Sequence, residues 1–197
     1  MRVKQGTQLS DLYLASNNLH KANEVSAILG CPVKLPAQLG LNFAVTEDGG
    51  SFIANALIKA KALYSLINRP VIADDSGLIV EALPGELGVE TANFAGDISQ
   101  QQKNSLLLDK MQGVSNRAAT FVCVAILYEG DNNFTLVKRE LAGEIARQMQ
   151  GEAGFGYDSV FYLAEYGETL AQLDEQLKNK LSHRALAFSQ LKKIIMA

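Results

Sequence analysis

Cysteine is nearly absent from this chain. Cys31 and Cys123 are the two in 197 residues, and they stand too far apart to form a metal-ligand spacing or a disulfide framework. Such usage fits a reducing, intracellular setting. No apolar stretch reaches the about 18 residues that a membrane helix needs. The opening MRVKQGTQLSD also lacks the apolar core of a secretory signal, so Asn133-Phe134-Thr135 reads as a chance match to a glycosylation acceptor. Charge of one sign is missing too. Eighteen Lys and Arg against 21 Asp and Glu leave a net charge of −3. Nothing in that balance suggests a polyanion-coating surface, which argues against a nucleic-acid polymer as partner. A local basic cluster can still hold a small anion. There is no GxxxxGK[ST] and no GxGxxG following a strand, so a P-loop is excluded and a dinucleotide fold has no support. Neither internal repeats nor low-complexity segments occur.

What is present describes an ordinary globular protein, 48% hydrophobic and 20% charged. The length fits one domain, 1–197, with room for two lobes. Residues 1–10 read as a loose leader. DLYLASN (11–17) reads as a short strand entering a polar turn, and HKANEVSAIL (20–29) as a helix stopped by Gly30 and Pro32. LNFAV (41–45) alternates like a strand. Ser51 is a plausible cap for a helix whose stripe is Phe52, Ala56, Ala60, Leu63 and Ile67, with Asn55 and Lys59 on a neighbouring stripe. PVIADD predicts a strand with acids at its carboxyl end. PGELGVETANFAG follows as a loop with a short helix, and ISQQQKNSLLLDKM as a helix. Two long β-type runs, 118–128 and 134–145, flank the turn EGDNN, and a helical end covers about 174–195. The pattern predicts an α/β protein with a long-stranded mixed sheet flanked by helices.

Four clusters carry chemistry. The turn Ser16, Asn17, Asn18, Leu19, His20 leads to Lys21, and helix N-terminal N–H groups with a lysine can hold phosphate oxygens. An ordinary strand-to-helix turn would look the same. Glu47 and Asp48 precede Gly49-Gly50, and Asp74 and Asp75 interrupt the apolar run VIADDSGLIV. Adjacent acids repel and are costly to desolvate. Carboxylates from two strand ends suit Mg²⁺, which takes hard oxygen ligands and keeps positions for water and phosphate. A solvated acidic turn is the alternative, stronger for Glu47–Asp48 than for Asp74–Asp75. Finally, GFGYD (154–158) offers flexible backbone at Gly154 and Gly156 and ring faces at Phe155 and Tyr157, with Asp158 as acceptor. Lys178, His183 and Arg184 in LKNKLSHR supply donors. Here too Phe155 could be core and His183 a helix cap beside Ser182. An aspartyl-phosphatase needs Asp-x-Asp, whereas adjacent acids point to opposite sides of a strand.

Taken in order from about Leu12 to Leu191, these segments resemble the inosine triphosphate pyrophosphatase family. ATGNxxK appears as ASNNLHK, TFxENAxxKA as SFIANALIKA, ADDSGLxVxALxGxPG as ADDSGLIVEALPGELG, GGFGYDPxF as AGFGYDSVF, and KxxxSHR as KNKLSHR. Departures are Asn17 for glycine, Ala54 for Glu, Asn93 for a common arginine, Ala153 for glycine, Ser159 for proline and Gln172 for a common Glu.

The resemblance implies a mixed long-stranded sheet with two lobes and a cleft. It also implies a homodimer in the cytoplasm and Mg²⁺-dependent cleavage between the α and β phosphates of dITP, ITP or XTP; Mn²⁺ is an expected substitute. On that reading Glu47 and Asp75 hold the metal, with Asp74 in support. Asp75 orients or deprotonates the attacking water. Ser16–Lys21, Asn55, Lys59 and Ser76 serve the phosphate end. Phe155 stacks on the base with Gly156 and Tyr157 beside it, while Asp158, Lys178, His183 and Arg184 read its edge. Rival readings are a pyrophosphatase for other modified or pyrimidine nucleotides, a non-hydrolytic nucleotide-binding protein, and a structural domain with a solvated acid pair.

Overall fold

The computed structural model describes residues 12–196; the leader expected over 1–10 lies outside them. Six strands form one mixed sheet in the order β1 to β6: β1 (Tyr13–Leu14), β2 (Val71–Val80), β3 (Ala118–Tyr128), β4 (Phe134–Ile145), β5 (Phe161–Leu163) and β6 (Glu168–Thr169). β1 lies parallel to β2, with Tyr13 opposite Val71. The pairs β4–β5 and β5–β6 are antiparallel. Helices α1 (Leu19–Leu29), α2 (Phe52–Ile67), α3 (Gln100–Lys110), α4 (Glu175–Leu181) and α5 (His183–Met196) complete the α/β fold.

The chain divides into two compact units. The first holds Met1–Asp75, Cys123–Arg139 and Arg184–Ala197, and the second holds Ser76–Val122 and Glu140–His183. In the first unit, the period-2 alternation of strands sorts side chains onto two buried faces. Ile72, Cys123, Ala125 and Leu127 pack with Val25 and Leu29 of α1 and Phe188 and Leu191 of α5. Val71, Ala73, Val124 and Ile126 pack instead with Ala56, Ala60 and Leu63 of α2. A strand covered on both faces has no polar side to show, which is why VCVAILY reads as an unbroken apolar run. The second unit has its own core, where Leu78, Val80, Phe121, Ile145 and Phe161 meet Leu107 and Met111 around α3.

Local chemistry sets the boundaries. Asn18 caps α1 through its Oδ1, which accepts the Lys21 N–H at 3.1 Å, and Gly30 ends the helix left-handed at φ +73°. Ser51 caps α2, and Ser99 with Gln102 forms a capping box on α3. The β3–β4 link turns on Asp131 and Asn132, both at positive φ, with the Asn133 N–H donating to Gly130 O at 2.7 Å. That is the primed turn a tight hairpin favours.

Three expectations need correction. LNFAV (41–45) pairs with no strand among the described residues; Phe43 is buried and Leu41 and Val45 are partly buried against the same core, so the alternation marks one inward-facing side of an extended loop. The strand predicted to end at Asp74–Asp75 continues to Val80, so the acids sit in its middle. The helical end is broken at Ser182, whose extended backbone (ψ 151°) separates α4 from α5.

Candidate functional site

The two acids of β2 are neighbours in sequence and face opposite sides of the sheet. Asp74 shares the side of Ile72. There Lys21 of α1 donates to its Oδ1 at 3.2 Å and lies 3.1 Å from Oδ2, while Arg184 of α5 approaches Oδ2 at 3.4 Å. Arg184 also donates to Glu24 at 2.7 Å. The guanidinium is 3% exposed, and although burial alone would lower its pKa, Asp74 and Glu24 raise it above the usual arginine range. Asp74 is thus a fully enclosed anchor.

Asp75 shares the side of Ala73 and meets α2. Lys59 donates to its Oδ1 at 2.8 Å and lies 2.6 Å from Glu47 Oε2, so one ammonium bridges the two carboxylates. Burial opposes the charge on Lys59, but Asp74, Asp75 and Glu47 outweigh it and raise its pKa. Asp75 behaves differently: desolvation, helped by Glu47, exceeds the pull of Lys59 and Lys21, and its carboxyl is pushed up to about 6. Among the described residues its Oδ2 is buried with no hydrogen-bond partner. The cation between the acids of different segments is therefore Lys59.

Glu47 comes from the loop before α2, not from a strand end. That loop is held at two points. The Gly49 N–H donates to Asn55 Oδ1 at 2.9 Å, and the Asn17 amide donates to Phe43 O at 2.6 Å. Gly49 is required there because any Cβ would strike Ala54 and the Asn55 amide. Asn55 and Lys59 share a face of α2, as their four-residue spacing predicts, and both are buried there. Ser16 is half-buried, and Asn17, Asn18, Leu19 and His20 are exposed on the turn that ends at Lys21.

Two carboxylates, one with a desolvated and unpartnered oxygen, fit a hard divalent cation, which accepts one or two protein carboxylates beside phosphate and water oxygens. Among the described residues no group of three acidic, histidine or cysteine side chains that could hold a metal gathers.

The second unit gathers the remaining candidates. Asp158 Oδ2 accepts the Phe155 N–H and the Lys178 ammonium, both at 2.8 Å. That ammonium lies 5.1 Å from the centre of the half-buried Phe155 ring. Gly154 stands at φ +77°, where a Cβ would collide with Asp158. Tyr157 is not presented as a ring face. It lies in the core, edge-on to Phe94, with its hydroxyl donating to Thr91 O at 3.2 Å. His183 opens α5 with its ring stacked on Phe121 at 4.5 Å and 8°. Ser76 is half-buried at the start of this unit's share of β2, and Gly156 offers its carbonyl to Asn104 at 3.0 Å.

Two residues escape a reading of the motifs. Glu24 is one turn beyond Lys21 on the same face of α1, a spacing visible in LHKANE. Asn104 sits among the buried residues of α3 with Lys103 and Leu107, a polar break in an apolar face that would have been its signal.

Residues 12–194 match the model of the Ham1 family. A dITP/XTP pyrophosphatase of Treponema pallidum (strain Nichols) is 43% identical over 188 residues, covering 93% of this chain and 70% of that protein. One from Treponema denticola is 36% identical over 93% of this chain and 97% of its own length. Among solved structures, the Ham1 protein of Staphylococcus aureus superposes with a TM-score of 0.84 at 38% identity, covering 95% and 98% of the two chains. A HAM1 protein from Coxiella burnetii gives 0.86 at 33%, covering 95% and 99%.

Proposed function

The chain belongs to the Ham1 family, and from that membership we propose that it hydrolyses non-canonical purine nucleoside triphosphates (dITP, ITP, XTP, dXTP) to the monophosphate and pyrophosphate. Cleaning the nucleotide pool is the purpose of that reaction. The observation that carries the proposal is the Asp75 carboxyl: buried, pushed up to about 6, one oxygen on Lys59 and the other without a partner.

A carboxylate whose pKa lies near the working pH is suited to general-base work. Asp75 orients the attacking water and takes its proton as the water oxygen bonds to the α-phosphorus; the α–β anhydride bond breaks and pyrophosphate leaves. Lys59 and Lys21, with the N–H groups at the start of α1, oppose the negative charge of the triphosphate. Asp74 keeps Lys21 and Arg184 in place. Glu47 and Asp75 would hold Mg²⁺, or Mn²⁺ in its stead. Such an ion neutralises phosphate charge and acidifies water. Phe155 stacks on the base, and Lys178 and Asp158 address its edge.

His183 beside Arg184 favours a 6-oxo over a 6-amino purine. A pocket built to pair a polar group can discriminate by roughly 10⁴ when that pairing is lost. The proposal extends to a homodimer in the cytoplasm, the first part of which light scattering checks directly.

Pyrophosphate release from dITP, XTP, dGTP and dATP, with Mg²⁺ and with chelator, tests the reading. Metal-dependent release from dITP and XTP supports it. Tight binding of dITP without turnover would favour a nucleotide-binding protein instead.

A further inference from the structure

One buried amide in the second unit has no part in the chemistry above. Asn104 of α3 is 4% exposed. Its Nδ2 donates to Gly156 O at 3.0 Å and to Ser159 Oγ at 3.1 Å. Its Oδ1 accepts the Gln100 Nε2–H at 2.9 Å, which fixes the orientation of the amide. The two gripped positions bracket Tyr157 and Asp158, and Asp158 in turn holds the Phe155 N–H and Lys178.

Within the loop Asp158 braces the Phe155 N–H, but the glycines on either side of Phe155 add no stiffness. Gly154 and Gly156 both stand at positive φ, and glycine gives up more conformational freedom on ordering than any other residue. At Ser159 the chain also lacks the proline of the motif it resembles, and with it a fixed φ. Further restraint comes from outside the loop, and Asn104 is the buried side chain that bonds Gly156 and Ser159 from α3.

We infer that Asn104 is a positioning residue for base recognition. By clamping Gly156 and Ser159 it sets the Phe155 ring and the Asp158–Lys178 pair, and so sets affinity for the purine without touching it. The inference rests on the function proposed above, because Phe155, Asp158 and Lys178 are base-reading groups only on that reading.

The test compares the full-length wild type with Asn104→Ala, Asn104→Asp, Ser159→Ala and, as a control in the turn just after α3, Gln112→Ala. Asn104→Asp keeps the acceptor facing Gln100 and sets a carboxylate oxygen against the Gly156 carbonyl in place of the donor. Amide hydrogen exchange over 154–159 and the dissociation constant for dITP in chelator are measured alongside the thermal midpoint and kcat. Exchange over 154–159 is expected to quicken at least about tenfold in both Asn104 variants and less in Ser159→Ala. The dITP dissociation constant should rise about tenfold, the worth of one or two hydrogen bonds, while kcat at saturation stays close to wild type.

Ser159→Pro placed in Asn104→Ala should recover part of the affinity. Unchanged exchange in both Asn104 variants overturns the inference. So does exchange that quickens throughout the second unit with a matching fall in thermal midpoint, since that describes a scaffold residue. If Asn104→Ala does not fold, Ser159→Ala and Asn104→Asp decide by the same criteria. If wild type neither binds nor cleaves dITP, the proposed function falls, and the exchange data alone decide whether Asn104 holds the loop.

Discussion

Asp74 and Asp75 share a peptide bond and almost nothing else. On the α1 and α5 side, Asp74 is enclosed by Lys21 and Arg184, and Arg184 is tied again to Glu24. On the α2 side, Asp75 shares one lysine with a more exposed Glu47 and keeps a bare oxygen. Two cations, one of them shared with Glu24, close around Asp74 and make a joint; burial beside one shared lysine pushes the Asp75 carboxyl up to about 6. The same residue type, one position apart, is assigned to structure or to reactivity by which helix layer it meets.

The largest expected effect breaks the Asp75 side. Asp75→Asn or Glu47→Gln should lower kcat/KM for dITP by about 10³ or more, on the order of 4 kcal/mol of transition-state stabilisation. The thermal midpoint at pH 7 should hold or rise in Asp75→Asn, since an amide spares the cost of a buried charge. Full activity in both variants would refute the assignment.

Asp74→Asn should do the reverse. Removing one partner of a buried ion pair costs about 3 kcal/mol or more, read by chemical denaturation, while kcat per folded molecule falls far less than in Asp75→Asn. A stable but inactive Asp74→Asn would erase the distinction drawn between the two acids.

pH sharpens the comparison. The Asp75 carboxyl is held near 6 when folded, against about 3.9 in an unfolded chain, so the folded state binds the extra proton between those values. Its contribution to stability is full below about pH 4 and is lost as pH rises through about 6, an effect on the order of a few kcal/mol. Denaturation midpoints in chelator, wild type minus Asp75→Asn, should trace that decline. A difference that does not change with pH would contradict it.

The smallest effect lies in the second unit. Phe155→Ala should raise KM about tenfold with kcat nearly unchanged, since stacking acts in ground and transition states alike. A loss confined to kcat would deny Phe155 a stacking role.

Much of this was legible from residue order. The caps Asn18 and Ser51 and the spacing of Asn55 and Lys59 are local, and local rules describe them well. The turn at Asp131–Asn132 is local too. LNFAV misled because alternation reports which side of an extended segment packs on the core, here Leu41, Phe43 and Val45, not the presence of a partner strand. VIADD misled because an acid pair looks like a terminus until cations from elsewhere make its interior placement tolerable. Ser182 broke a continuous helical pattern because one residue at ψ 151° leaves the hydropathy period almost untouched.

The sequence by itself determined the α/β class, the motifs that carry the family resemblance and the opposite orientation of Asp74 and Asp75, since a strand permits no other. Only the tertiary structure decided which acid is enclosed and which retains an unpartnered oxygen. That choice depends on Lys21, Lys59 and Arg184, which approach β2 from three helices separated by up to 163 residues. Desolvation and charge pairing between such distant groups exist only once the layers have packed.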